Sequence, residues 1–233
     1  LKLGHRLSQL EGMLKQRYSI IWDCCCDHGF LGMSLLQNKL ADKVVFVDVL
    51  VPQMAQLERK LKQRFPADKF DWEVLCQDLQ EVTVPEADSQ LFIIAGVGAD
   101  SAIRFVDSLC ASRPGAKFDL LVCSVHGSYS VREALSRHGF RLKDERIILE
   151  NNRFYEGIYV SQTADTNIMN TGAAMWDWLN PEHREYAHRL SGHYSKKAKT
   201  DPTKFQSISV DYKRLFNAIN PDIVHQSGSS KHD

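Results

Sequence analysis

The chain has 233 residues, 43% of them hydrophobic and 25% charged, with equal numbers of basic and acidic side chains. That length carries one sizeable domain and an appendage, and a net charge of zero excludes a global basic field, so any nucleic-acid footprint must be local. No run of about 18 apolar residues occurs, which argues against a membrane-spanning helix.

Residues 1–6 lack the apolar core of a signal peptide and contain no initiator Met. The expectations are a trimmed N-terminus, a cytoplasmic location and free thiols. Leu7, Leu10, Leu14 and Tyr18 recur at helical spacing, predicting an amphipathic helix over 4–17. An apolar strand over 19–23 follows and ends in Asp23. The turn Cys24-Cys25-Cys26-Asp27-His28-Gly29 leads into a helix over 30–39. A second strand, 43–48, ends in Asp48. Pro52 suits the first turn of a helix over 52–64, where its missing N–H costs nothing. A third strand, 70–76, precedes Asp78.

The run Gln90-Leu91-Phe92-Ile93-Ile94-Ala95 is apolar without alternation, which implies a strand covered on both faces. It ends in Gly96-Val97-Gly98, and a helix over 99–112 follows. A fifth strand spans 118–123, and a helix over 129–138 stops at Gly139. Two longer strands, 141–150 and 153–162, flank Asn151-Asn152, a pair that tolerates positive φ and suits a hairpin turn. The result is an α/β chain with a mostly parallel seven-stranded sheet and a terminal antiparallel hairpin. Residues 161–172 are polar and turn-rich, a linker. Helices over 173–199 and 203–218 form a C-terminal appendage. The expected domains are 1–163 and 173–220, with a disordered tail over 221–233.

Six cysteines are present, three of them consecutive. Adjacent thiols in a turning chain do not easily face one metal, and no C-x-x-C pair accompanies them, so no metal is expected. In an open parallel sheet, ligands bind beyond the carboxyl ends of the strands. Three successive strands end in, or lead into, Asp23, Asp48 and Asp78. An acid at Asp48 suits the ribose hydroxyls of a nucleoside cofactor. The first turn lacks G-x-G-x-x-G, so a dinucleotide pyrophosphate is disfavoured. S-adenosylmethionine fits better: strand-end N–H groups reach its carboxylate, Asp23 and Asp27 offer charge to its ammonium, and Asp78 suits the adenine amino group. The plain alternative for Asp27 is a cap on the following helix. That for Asp78 is a solvated loop acid.

Residues 181–214 carry eight Lys or Arg against four Asp or Glu, interleaved with Tyr186, Tyr194 and Tyr212. That pattern suits an RNA backbone and exposed bases. The alternative is a solvated face on helices packed down by Trp176, Trp178 and Leu179.

These motifs resemble the bacterial tRNA (adenine-22-N1)-methyltransferase family, TrmK-like, over about residues 3–162. The family's Arg-Leu element matches Arg6-Leu7. Its Asp-Ile-Gly-Ser-Asp-His-Ala-Tyr-Leu-Pro motif matches the stretch from Asp23 to Gly32. Its Gly-Asp-Gly-Leu motif falls on Cys76-Gln77-Asp78-Leu79, its Ile-Ala-Gly-Met-Gly-Gly on the stretch from Ile94 to Ala99, and a Tyr-Glu element on Tyr155-Glu156. The resemblance implies a Rossmann-like class I methyltransferase fold with S-adenosylmethionine as cofactor and tRNA as partner. Two departures stand out. Cys25 replaces a motif glycine, and Cys123-Ser124-Val125 replaces Gln-Pro-Asn after the fifth strand.

Residue pattern and resemblance together give the candidate site. The catalytic candidates are Asp27 and His28. Cofactor contacts fall on Arg6, Asp23, Cys25, Asp48, Val49, Gln77, Asp78, Leu79, Ala95 and Gly96. Substrate contacts fall on Gly98, Ser124, His126, Tyr155, Lys196 and Lys197. Two alternatives stay open: a methyltransferase for a small molecule or protein, and a non-catalytic cofactor- or RNA-binding paralogue.

Overall fold

A computed structural model describes residues 2–219 of the chain. The expectation for the tail 221–233 lies outside the described residues. Strands and helices alternate: α1 (His5–Glu11), β1 (Tyr18–Cys24), α2 (Phe30–Gln37), β2 (Ala41–Asp48), α3 (Val51–Arg64), β3 (Asp71–Cys76), β4 (Gln90–Ala95), α4 (Ala99–Ser112), β5 (Asp119–Cys123), α5 (Ser128–Arg137), β6 (Arg141–Glu150), β7 (Arg153–Ser161), α6 (Pro181–Thr200) and α7 (Pro202–Ile219). The chain divides into two compact units, the first ending at Asn170 and the second beginning at Thr171.

In the first unit the seven strands form one sheet in the order β3-β2-β1-β4-β5-β7-β6. β1 to β5 pair in parallel, and β7 runs antiparallel to both β5 and β6. The predicted mostly parallel sheet with a closing hairpin is therefore the observed one. Asn151 and Asn152 both take positive φ at its turn. The order reverses between β1 and β4, which opens a crevice at their carboxyl ends.

Side-chain alternation sorts the apolar strands into two cores. Ile21, Val44, Phe46, Leu91 and Ile93 point to one face and pack with Leu10 of α1, Leu31 and Leu35 of α2, and Leu57 and Leu61 of α3. Trp22, Val45, Val47, Phe92 and Ile94 point to the other and pack with Ala102 and Val106 of α4 and Val131 and Leu135 of α5. Both faces are covered, so these strands show no polar alternation.

Three elements differ from the sequence-based expectation. The first helix stops at Glu11 rather than 17. After Gly12 the chain tightens through bonds from Met13 N–H to Leu10 O and from Leu14 N–H to Glu11 O, turning both side chains into the core. Residues 79–81 form a 3-10 turn, which holds Leu79 in the second core. Residues 173–180 are turns instead of helix. α6 begins only where the Asn180 side chain accepts the Glu182 N–H and Pro181 fills the first turn.

In the second unit α6 and α7 pack as a pair. Ala187, Tyr194 and Ala198 are buried on α6, Ile208 and Tyr212 on α7, and Tyr194 stacks on Tyr212 at 5.1 Å. Trp176 stacks on Trp178 at 4.8 Å, while Leu179 is 89% exposed. The sequence grouped Leu179 with the two tryptophans as an anchor, and its exposure removes it from that role.

Candidate functional site

A cavity of about 210 Å³ opens at the carboxyl ends of β1 and β4, lined by Arg6, Leu7, Asp23, Cys25, Cys26, Asp27, His28, Phe30, Leu31, Ala95 and Gly96. The floor is the turn after β1. It needs left-handed backbone at three places: Cys25 (φ 56°), Asp27 (φ 49°) and Gly29 (φ 65°). Only the last is glycine, so two L-residues carry a disfavoured conformation there. Gly29 is the N-cap of α2, and no side chain caps that helix. The capping alternative for Asp27 is therefore ruled out. Its side chain is 63% exposed beside the cavity, with His28 Nε2 at 3.8 Å from Asp27 Oδ1.

Asp23 has a different environment. It is 5% exposed, and its Oδ2 accepts the Gly32 N–H at 2.9 Å, tying the end of β1 to α2. Burial pushes its carboxyl up to about 7, partly offset by the Gly32 bond and reinforced by the Asp48 charge. Asp23 reaches the cavity wall, but one of its oxygens is spent on the fold. Gly32 permits this contact, because a Cβ there would lie 2.8 Å from that oxygen and 2.3 Å from Phe46.

Asp48, half-buried at the end of β2, organises two loops at once. Its Oδ2 accepts the Asp27 N–H at 3.0 Å and its Oδ1 the Leu50 N–H at 3.1 Å. Val49 beside it is exposed. Asp78 Oδ1 accepts the Gln80 N–H at 3.0 Å and caps the 3-10 turn. Gln77 is half-buried, and the Leu79 side chain faces the core. The three acids converge electrostatically on one thiol. Burial, then Asp48, Asp23 and Asp78, push Cys25 up to about 12. Cys25 and Cys26 are thus protonated thiols and poor nucleophiles at neutral pH. The consecutive cysteines diverge: Cys24 packs in the α4–α5 core, and Cys26 contacts Met54 of α3 at 3.8 Å. Among the described residues, no group of three or more His, Cys, Asp or Glu is placed to hold a metal.

Two further groups belong to this edge. The Arg6 guanidinium lies over the Tyr155 ring at 4.6 Å, and Glu150 accepts the Arg6 N–H at 2.9 Å. The buried Arg6 Nε has no hydrogen-bond partner, although its residue lines the cavity. The loops after β4 and β5 are laced together by Gly96 N–H to Cys123 O (3.0 Å) and Val125 N–H to Val97 O (2.8 Å). Gly96 has φ 84° and open space where a Cβ would sit. A Cβ on Gly98 would lie 3.3 Å from His126 Nε2, so the exposed His126 ring rests against that glycine. Ser124 is 2% exposed, and its Oγ is buried without a partner. A buried polar atom left unpaired in a fold is an expected place for a ligand contact.

The structure thus gathers Arg6, Asp23, Cys25, Asp27, His28, Ala95 and Gly96 around one cavity, with Asp48 wired to its floor. Lys196 and Lys197 lie on α6 in the second unit, both exposed. Leu7, Cys26, Phe30 and Leu31 also line the cavity and were missed. They sit inside or beside the motifs that were noted, so proximity in sequence was the available signal.

A family model described as a methyltransferase domain matches residues 3–158. No curated protein sequence matches the chain. Among solved structures, it is similar to TrmK of M. capricolum in complex with S-adenosyl-homocysteine (15% identity, 94% of this chain and 96% of that one, TM-score 0.73). It is also similar to the m1A22 tRNA methyltransferase TrmK of B. subtilis (16% identity, 95% and 98%, TM-score 0.71). A third is Sp1610 of Streptococcus pneumoniae in complex with S-adenosyl-L-methionine (14% identity, 94% and 99%, TM-score 0.69). At these identities the shared property is the fold, a Rossmann-like methyltransferase fold followed by C-terminal helices.

Proposed function

The chain belongs to the family of methyltransferase domains, and on that premise we propose that it transfers the methyl group of S-adenosylmethionine to N1 of an adenine in tRNA. The observation that carries this reading is the strand-end cavity with its buried, partnerless Arg6 Nε beside Asp27 and the open Gly96. A nucleoside cofactor with a free carboxylate fits an unpaired guanidinium donor at that place. Asp48 keeps lone pairs beyond the two it gives to backbone N–H groups, and these suit ribose hydroxyls. Asp78 has its second oxygen for the adenine amino group, with Val49 and Gln77 beside the same strand ends.

When bound, the cofactor supplies an electrophilic sulfonium methyl to the in-plane lone pair of adenine N1, and the C–S electron pair leaves on sulfur. No general base is required, so alignment supplies most of the acceleration. Gly96 lets the reacting atoms come close to the backbone, since no side chain occupies that space. The adenine ring gains positive charge as the new bond forms. The exposed Asp27 carboxylate stabilises that charge, and His28 borders it. The contacts of an extruded base are assigned to Gly98, Ser124, His126 and Tyr155, because N1 lies on the Watson–Crick edge. Of the two exposed lysines, Lys196 serves the RNA backbone, while the Lys197 ammonium lies over the Phe205 ring at 4.8 Å.

The test is incubation with labelled S-adenosylmethionine and total tRNA, followed by nucleoside mass spectrometry. The expected product is 1-methyladenosine in tRNA. Label in protein or small molecules with none in RNA would overturn the substrate, and label nowhere would overturn the reaction.

A further inference from the structure

We propose that an RNA phosphodiester backbone crosses α6 at Gly192, gripped by a cationic stripe on the outward face of that helix. The inference rests on the RNA-substrate reading above and adds to it a defined contact.

Gly192 lies inside the 20-residue helix α6, where glycine is the least favourable residue except proline. Nothing in its own surroundings calls for it. Its φ is not positive, and no atom lies within 4 Å of where a Cβ would be. It is also exposed, on the side of the helix opposite the buried Ala187, Tyr194 and Ala198. A missing Cβ at such a position brings the helix surface closer to anything laid across it.

What lies around it is basic. Arg189 is three residues before Gly192, Lys196 four after and Lys199 seven after, so all share its face, with His188 at the margin. All four are exposed. From Arg189 to Lys199 the stripe runs about 15 Å along the helix. The acid on that face, Glu185, pairs with Arg189 at its far end, and α6 has no further carboxylate toward its C-terminus. On α6 itself this face carries no large apolar side chain, and the His188 ring at its margin packs against Phe216 of α7 at 5.4 Å. The face offers cations flanking a shallow saddle, which is complementary to a chain of phosphates.

The experiment compares the full chain with Gly192→Ala and Gly192→Gln in direct tRNA binding by fluorescence anisotropy, with thermal unfolding and sedimentation alongside. Both substitutions favour helix, so Tm should rise by about 2–4 °C. RNA affinity should nevertheless fall, by about threefold for Ala and about tenfold for Gln, as the backbone is pushed from the surface. A raised Tm with unchanged RNA affinity would overturn the contact, as would absence of RNA binding by the parent chain. A change in oligomeric state in the variants would also overturn it, by assigning the saddle to a second copy. Binding is read without turnover. RNA bound at Gly192 but not methylated contradicts the reaction alone, and RNA methylated with Gly192 indifferent contradicts this inference alone.

Discussion

Asp48 Oδ2 accepts the backbone N–H of Asp27 at 3.0 Å, so the residue proposed to hold ribose also holds the proposed catalytic turn in shape. The two sites are therefore not separable from both sides. Asp48→Ala strands the N–H groups of Asp27 and Leu50 and should weaken cofactor binding and turnover together. Asp27→Asn tolerates the positive φ of that position and removes only charge. It should lower kcat by about tenfold or more while leaving cofactor Kd within about threefold. Calorimetry and steady-state kinetics on the two variants check this. Loss of cofactor binding alone in Asp27→Asn would remove Asp27 from the chemistry.

Asp23 should make stability fall as pH rises. Burial holds its folded pKa at about 7, above the ordinary carboxylate value of about 3.9 in the unfolded chain. Between those values the folded state keeps a proton that the unfolded state has lost. The advantage of that proton is present below about pH 4 and is lost as pH passes about 7. Asp23→Asn, neutral throughout, should therefore gain Tm relative to the parent between pH 4 and pH 8, by differential scanning calorimetry. A constant difference across that range would show that Asp23 ionises normally.

The sheet was legible because it follows from alternation of apolar runs with amphipathic segments, and Asn151-Asn152 announced the hairpin. The acids at strand ends were legible for the same reason, since parallel strands deliver their last residues to one edge. What each acid does there was not. Whether Asp23 faces α2 or the cavity depends on Gly32, nine residues later, and on how Phe46 fills the space beside it. Periodicity could not show that residues 173–180 are turns, because Trp176 and Trp178 stack on each other rather than continuing a helix. The burial of Arg132 between Glu145 and Glu156 was invisible as well, since those partners are 13 and 24 residues away.

Cys25 carries φ 56° in a turn where the resembling family has glycine. Left-handed backbone costs an L-residue about 1–2 kcal/mol, and glycine avoids most of that. The loss of a half-buried thiol offsets part of the gain. Cys25→Gly should keep or raise Tm, whereas Cys25→Val, β-branched, should lower it clearly. Thermal melts of the two variants decide. Equal losses would mean that the thiol, not the backbone, sets the cost.

Arg132 is fully buried between Glu145 (2.5 Å) and Glu156 (2.9 Å), and joins α5 to the β6–β7 hairpin next to Tyr155. Arg132→Met leaves two carboxylates buried without their cation and should cost about 3–5 kcal/mol in denaturant unfolding. Adding Glu145→Gln and Glu156→Gln should recover much of that loss. If the triple variant is as unstable as the single one, packing rather than charge is what Arg132 supplies.

The most direct measurement is calorimetric titration of S-adenosylhomocysteine into the intact chain and into Arg6→Gln. Saturable one-site binding is expected, about tenfold weaker in the variant, since the ligand's carboxylate would then lose its guanidinium donor. A flat titration of the parent, or identical affinity in both, would contradict an S-adenosyl amino-acid cofactor seated at the ends of β1 and β4.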